Sequence, residues 1–150
     1  MLKDLILQYI EHGDFTLHSG KKSDTYYNIK KLCMDYPNVV ADELCYHFET
    51  LEKVYNVTAV GGPATGGALL ALIIKMRKPY LKSFFTKDGK LFGTLDKDDN
   101  IIIIDDVYTT GDSINECRKI IKDYNVVIDL VIVNRNYPYS IYGVHSIINI

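Results

Sequence analysis

Cysteine and proline are scarce in this 150-residue chain, neither sign of charge dominates, and no apolar run approaches the length of a membrane span. The three cysteines, Cys33, Cys45 and Cys117, are odd in number, widely spaced and never in a Cys-x-x-Cys pair. That argues against a disulfide scaffold and a thiolate zinc site, and fits a reducing compartment. Four prolines, with 24% charged and 47% hydrophobic residues, exclude collagen-like, low-complexity and disordered chains. Lys+Arg 17 against Asp+Glu 19 gives a net charge of −2, without the cationic surplus of a nucleic-acid surface. The apolar stretch Ala68 to Ile74 is too short to cross a bilayer, and Lys3 and Asp4 interrupt the N-terminal pattern where a signal-peptide core would be unbroken. A cytoplasmic protein with no membrane and no nucleic-acid partner is expected. His12, His18, His47 and His145 lack the His-x-x-x-His spacing of a helical metal site and read as surface or packing residues.

What is present is a single domain of alternating elements. Leu2, Leu5, Ile6, Tyr9 and Ile10 recur at helical spacing before Gly13, predicting a helix over residues 1–12. Residues 14–22 read as a polar, turn-rich loop, and the aromatic and β-branched content of residues 25–29 predicts a short strand. Pro37 opens a helix running to about Lys53. From Val57 the rhythm becomes βαβ, with strands predicted at 57–60, 80–84, 101–104, 129–133 and 144–150 and helices at 68–77 and 113–124. Ile101 to Ile104 is apolar on both faces, as in the centre of a parallel sheet covered by helices on both sides. The expected architecture is α/β, with a mostly parallel central sheet, residues 1–36 as a small N-terminal segment and 37–150 as the core.

Ligands of open α/β sheets bind beyond the carboxyl ends of the strands. The most informative such loop is IIIIDDVYTTGDS, residues 101–113. Hydroxyls and a glycine at a helix N-terminus, here Thr109, Thr110, Gly111, Asp112 and Ser113, present backbone N–H groups to a phosphate. Asp105 and Asp106 just upstream suit sugar hydroxyls or the waters of a magnesium ion. Taken alone the two acids are equally at home in magnesium-dependent hydrolases, receiver domains and nucleotide binders. The GGPATGG loop, residues 61–67, lacks both the P-loop ending and the dinucleotide fingerprint. Its glycines allow close backbone approach to an anion, or simply make a strand-to-helix turn. Tyr26 and Tyr27 offer flat surfaces for a planar base or ordinary strand packing. Backbone donors at Ser19-Gly20 suit a carboxylate or imide. Arg135 suits a carboxylate through paired donors, or is an exposed arginine with no ligand.

The string IIIIDDVYTTGDS resembles the activated-ribose motif of the type I phosphoribosyltransferases, and GDFTLHSGKKSDTYYN, residues 13–28, resembles the entry segment of orotate phosphoribosyltransferases. The resemblance covers about residues 13–150. It implies a three-layer phosphoribosyltransferase fold with an N-terminal hood, and transfer of a 5-phosphoribosyl group from 5-phosphoribosyl 1-diphosphate to orotate. Magnesium would accompany the diphosphate, without direct protein ligands. It further implies a homodimer with a shared active site. Asp105 and Asp106 would hold the ribose, Thr109 to Ser113 the 5′-phosphate, and Thr65 and Gly66 the diphosphate. Ser19, Gly20, Tyr26, Tyr27 and Arg135 would surround the base.

Three departures stand beside the resemblance. The family's mobile catalytic loop carries a lysine where an alignment on Gly89 places Thr86, and a histidine where it places Asp88, so Lys87 is expected to take the catalytic role, with Lys82 and Lys90 on the diphosphate. His18 replaces a common lysine, and Asn134 precedes Arg135 in place of an aspartate. The chain ends at Ile150 without the C-terminal helix of longer members, leaving a face of the final strand bare or covered by another subunit. Transfer to a different base, or phosphoribosyl binding without turnover in a regulatory protein, are the alternatives.

Overall fold

A computed structural model of the chain describes residues 1–17, 20–135 and 143–150. It is a three-layer α/β structure whose central sheet consists, from edge to edge, of β5 (Lys90–Phe92), β4 (Lys82–Lys87), β3 (Ala59–Pro63), β6 (Asn100–Tyr108), β7 (Asn125–Asn134) and β8 (Val144–Asn149). All neighbours are parallel except β4 and β5. On β6, Ile102 and Ile104 pack against a cluster containing Leu44, Phe48, Leu70 and Ile74 from α3 (Pro37–Tyr55) and α4 (Gly66–Arg77). Ile101 and Ile103 turn the other way, onto Ile114, Cys117 and Ile121 from α5 (Asp112–Ile120) and its end. This is the period-two alternation of a strand buried on both faces. Among the described residues no helix is long and apolar enough to cross a membrane.

The N-terminal part differs from its expected form. The predicted helix stops early, as α1 (Leu2–Gln8), and Ile10–Thr16 forms β1, paired antiparallel with β2 (Lys22–Tyr27). Tyr9 and Ile10 continue the apolar spacing of α1, but strand pairing claims them, since Tyr9 carbonyl oxygen accepts from Asn28 N–H and Ile10 lies opposite Tyr27. A further helix, α2 (Ile29–Asp35), follows at once. Asn28 caps it by accepting from Lys31 N–H, and Ile29, Leu32 and Cys33 are its buried stripe. The segment expected to be a mobile lysine loop is instead a tight β4–β5 hairpin. Lys87 pairs with Lys90 across the two-residue turn Asp88-Gly89, both residues at positive φ, 50° and 75°. Phe85 and Phe92 stack beneath it with ring centroids 4.7 Å apart.

Glycines let β3 and α4 close onto β6. A Cβ on Gly62 would stand 1.8 Å from the Ile104 carbonyl oxygen, and one on Gly67 would stand 2.6 Å from the same atom. No side chain fits there, so Gly62→Ala is expected to destabilise the fold by about 3 kcal/mol or more. A urea unfolding midpoint near that of wild type would show that the strand can move aside.

Candidate active site

The carboxyl ends of β3, β4, β6 and β7 surround one pocket of about 730 Å³, roofed by β1, β2 and α2. The β3–α4 turn contributes Ala64, Thr65 and Gly66, and the β4–β5 hairpin contributes Thr86 to Gly89. From β6 and the turn into α5 come Asp105, Asp106, Thr109 and Ser113, while Tyr26, Tyr27 and Arg135 close the opposite wall. A small recess adjoins it, lined by Thr109, Thr110, Gly111, Asp112 and Ser113. Gly111, at φ 83°, opens α5 beside the recess, where the Asp112 N–H donates to Thr110 Oγ1 at 3.3 Å. The neighbouring Tyr108 hydroxyl is buried and lacks a hydrogen-bond partner among the described residues.

The two acids lie within β6, not beyond its end, and so face opposite layers. Asp105 is 6% exposed, and its Oδ1 accepts from the Asp106 N–H at 2.9 Å. Burial, reinforced by the Asp106 charge, pushes its carboxyl well above the ordinary carboxylate range. Asp106 accepts from Val107 N–H through Oδ1 and from Lys30 Nζ through Oδ2, each at 2.9 Å. Burial alone would lower the Lys30 ammonium's pKa, but Asp106 and Tyr26 outweigh it and the net shift is upward. Cys33 and Cys117 lie near these acids, and burial pushes their thiols up to about 12 and about 11. Neither is a thiolate nucleophile at neutral pH.

Arg135 binds the hood to the core. It leaves the end of β7, donates to Thr25 Oγ1 at 2.8 Å and to Ser23 Oγ at 3.3 Å, and covers the Tyr27 ring at 4.9 Å. Tyr27 is buried, and Tyr26 stacks on Phe15 with centroids 5.5 Å apart. The wall between them offers aromatic surface and a guanidinium, the chemistry that suits a flat anionic base.

Several expected positions fall elsewhere. Lys82 begins β4, at the end of the strand remote from the pocket, and is held by Asp96 at 2.5 Å and Asp99 at 2.9 Å. Lys90 is exposed on β5 and outside the pocket lining. The Gly20 N–H is spent on the Leu17 carbonyl at 2.9 Å, so it is not a donor to a ligand. Ser19, with His18 and Asn136, lies outside the described residues. Thr86, aligned with the missing lysine, is 3% exposed and lies in the pocket wall. Lys30 was not anticipated. Its signal was the spacing of Ile29, Leu32 and Cys33 after a capping asparagine, which marks a short helix and places Lys30 in its first turn.

No protein-family model matches the chain. A curated orotate phosphoribosyltransferase of Methanosphaera stadtmanae is 32% identical over 136 residues, covering 84% of this chain and 75% of that protein. The orotate phosphoribosyltransferase of Methanocaldococcus jannaschii is 34% identical, covering 83% and 73%. Among solved structures, orotate phosphoribosyltransferase from Aeropyrum pernix superposes with a TM-score of 0.82 at 25% identity, covering 99% of this chain and 94% of that one.

Folded Asp105 holds its proton more tightly than the unfolded chain does, so it favours folding near pH 4 and loses that contribution as pH rises through its raised folded value. Asp105→Asn is therefore expected to melt at a higher temperature than wild type at pH 7, with the difference closing towards pH 4. Melting curves across pH check this; a difference independent of pH would refute it.

Proposed function

This chain belongs to the orotate phosphoribosyltransferase family, and we propose that its pocket transfers a 5-phosphoribosyl group from 5-phosphoribosyl 1-diphosphate to N1 of orotate. The products are orotidine 5′-monophosphate and pyrophosphate, a step of pyrimidine nucleotide synthesis. The observation that carries this reading is convergence: a helix-terminus anion recess, paired acids, a glycine turn and an aromatic wall with a guanidinium all border one cavity. The recess fits the 5′-phosphate, Asp105 and Asp106 the ribose hydroxyls, Thr65 and Gly66 the diphosphate, and Tyr26, Tyr27 and Arg135 the base.

In the reaction the C1–O bond breaks with its electron pair leaving on pyrophosphate, the C1–N1 bond forms, and the N1 proton departs to solvent. The ribose carries oxocarbenium character between the two events. The protein's part is to hold ribose and base in line, to exclude water, and to meet the charge growing on the leaving group. No side chain need become covalently attached. Magnesium keeps most of its waters and binds chiefly through substrate phosphates, so it would enter with the diphosphate and neutralise part of its charge. Asp105 and Asp106 line the pocket and would accept from its waters. The proposal includes a single domain over residues 1–150, a cytoplasmic setting and a homodimer.

Purified protein with magnesium, orotate and 5-phosphoribosyl 1-diphosphate is expected to form orotidine 5′-monophosphate, read by the loss of orotate absorbance. Binding of the diphosphate without turnover on any base would instead favour a regulatory role, for which the short lysine hairpin is the motivating feature. Turnover confined to another base would reassign the acceptor. Lys87 stands at the pocket rim and is exposed. Lys87→Ala is expected to lower kcat by about tenfold or more while shifting stability by less than about 0.5 kcal/mol. An unchanged kcat would remove Lys87 from the mechanism.

A further inference from the structure

The cations of the pocket are unevenly deployed. Among the described residues that line it, the cationic side chains are Lys30, Lys87, Lys119 and Arg135. Arg135 is committed to the hood through Ser23, Thr25 and the Tyr27 ring. Lys87 and Lys119 are exposed, and the two-residue turn beyond Lys87 gives its hairpin little reach. Lys30 alone stands half-buried beside the acids, with its Nζ 2.9 Å from Asp106 Oδ2. On its other side the Asp106 carboxyl meets the glycine turn. A Cβ on Gly66 would lie 2.7 to 2.9 Å from that group's atoms. Lys30, Asp106 and the Gly66 backbone therefore share one corner of the cavity.

That corner is where a substrate with its ribose on the acids and its diphosphate on Thr65 and Gly66 must pass from sugar to leaving group. We infer that Lys30 is a catalytic residue that contacts the diphosphate beside the oxygen leaving C1. The inference rests on the phosphoribosyl-transfer reading of the pocket. An ammonium has three donors, of which Asp106 takes one. Another is available to a phosphate oxygen without breaking the ion pair. Lys30 keeps its proton throughout and acts by charge, holding a place that the hairpin does not fill because Thr86 stands there. Preorganisation supports the role: the ion pair to Asp106 fixes the ammonium before substrate arrives, so little reorganisation accompanies the reaction.

The test measures binding without a base, by calorimetric titration of wild type, Lys30→Gln and Lys30→Arg with 5-phosphoribosyl 1-diphosphate, pyrophosphate and ribose 5-phosphate, each with magnesium. Thermal melts establish that the variants fold. Lys30→Gln is expected to weaken both diphosphate ligands about 10- to 100-fold, as for loss of a hydrogen bond to a charged group, and to leave ribose 5-phosphate unchanged. In Lys30→Gln, kcat is expected to fall about 10²- to 10³-fold, and Lys30→Arg should recover part of both losses. If Lys30→Gln weakens ribose 5-phosphate as much as the diphosphates, Lys30 merely holds Asp106 and the inference is overturned. Unchanged diphosphate binding and kcat would overturn it too. Failure of wild type to bind 5-phosphoribosyl 1-diphosphate would overturn the reading of the pocket itself, whereas binding with transfer to a base other than orotate would leave Lys30's role standing.

Discussion

The backbone contact between β3 and β6 governs the rest of this structure. Gly62 and Gly67 both close on the Ile104 carbonyl, at distances where a Cβ has no room. Gly61 does the same against Phe84 on β4, where its Cβ would stand 2.3 Å from a carbonyl oxygen. Because the strands approach so closely, the turn between β3 and α4 lands beside the carboxyl end of β6, and Gly66 meets the Asp106 carboxyl. The GGPATGG segment reads from sequence as a loop that approaches an anion. Part of its glycine content has another cause, packing of backbone on backbone, and the anion-facing geometry follows from it.

A strand that carries two carboxylates in its buried stretch is a poor choice for stability alone. Asp105 sits where desolvation disfavours its charge, and Asp106 needs Lys30, the Val107 N–H and the α2 layer around it. The same sheet shows how a buried acid is managed elsewhere. Asp129 on β7 is compensated by Arg118 of α5 at 2.6 Å, although burial still pushes its carboxyl upward. Asp129 stands away from the pocket and serves the join of α5 to the sheet. The pair on β6 opens onto the cavity, and a ligand's hydroxyls would complete the hydrogen bonding that the protein leaves partly open.

Legibility from sequence followed the strength of the local pattern. Ile101 to Ile104 could only be a strand buried on both faces, and the turn after it carried its helix-opening chemistry in plain view. Pro37 marked the start of α3, and α4 and α5 differed from their predicted spans by a few residues. The weaker elements were misread where two patterns overlap. Apolar spacing through Tyr9 and Ile10 suits a helix as well as the turn and strand they join, and pairing with β2, which lies beyond any local window, decides between them. Strand β5 has three residues, too few for a period, yet the Asp-Gly pair before it is a strong hairpin signal that the expectation of a mobile loop obscured. Lys82 was misplaced by one strand length: it lies at the start of β4, and only the carboxyl end of a strand faces the site.

The N-terminal ribbon shows why Lys30 and Arg135 belong to the same account. Two antiparallel strands are marginal alone, so β1 and β2 owe their place to attachments on the core. Arg135 supplies one at the end of β7, the buried Tyr27 another, and α2 a third through Ile29 and Leu32 in the main cluster and Lys30 on Asp106. All three attachments also line the pocket. The aromatic wall is thereby set against β6 and β7, whose carboxyl ends carry the acids. A flat ring between Tyr26 and Arg135 and a sugar on Asp105 and Asp106 would then meet in a geometry fixed before either is bound, and alignment of two reactants is what a transfer between them requires.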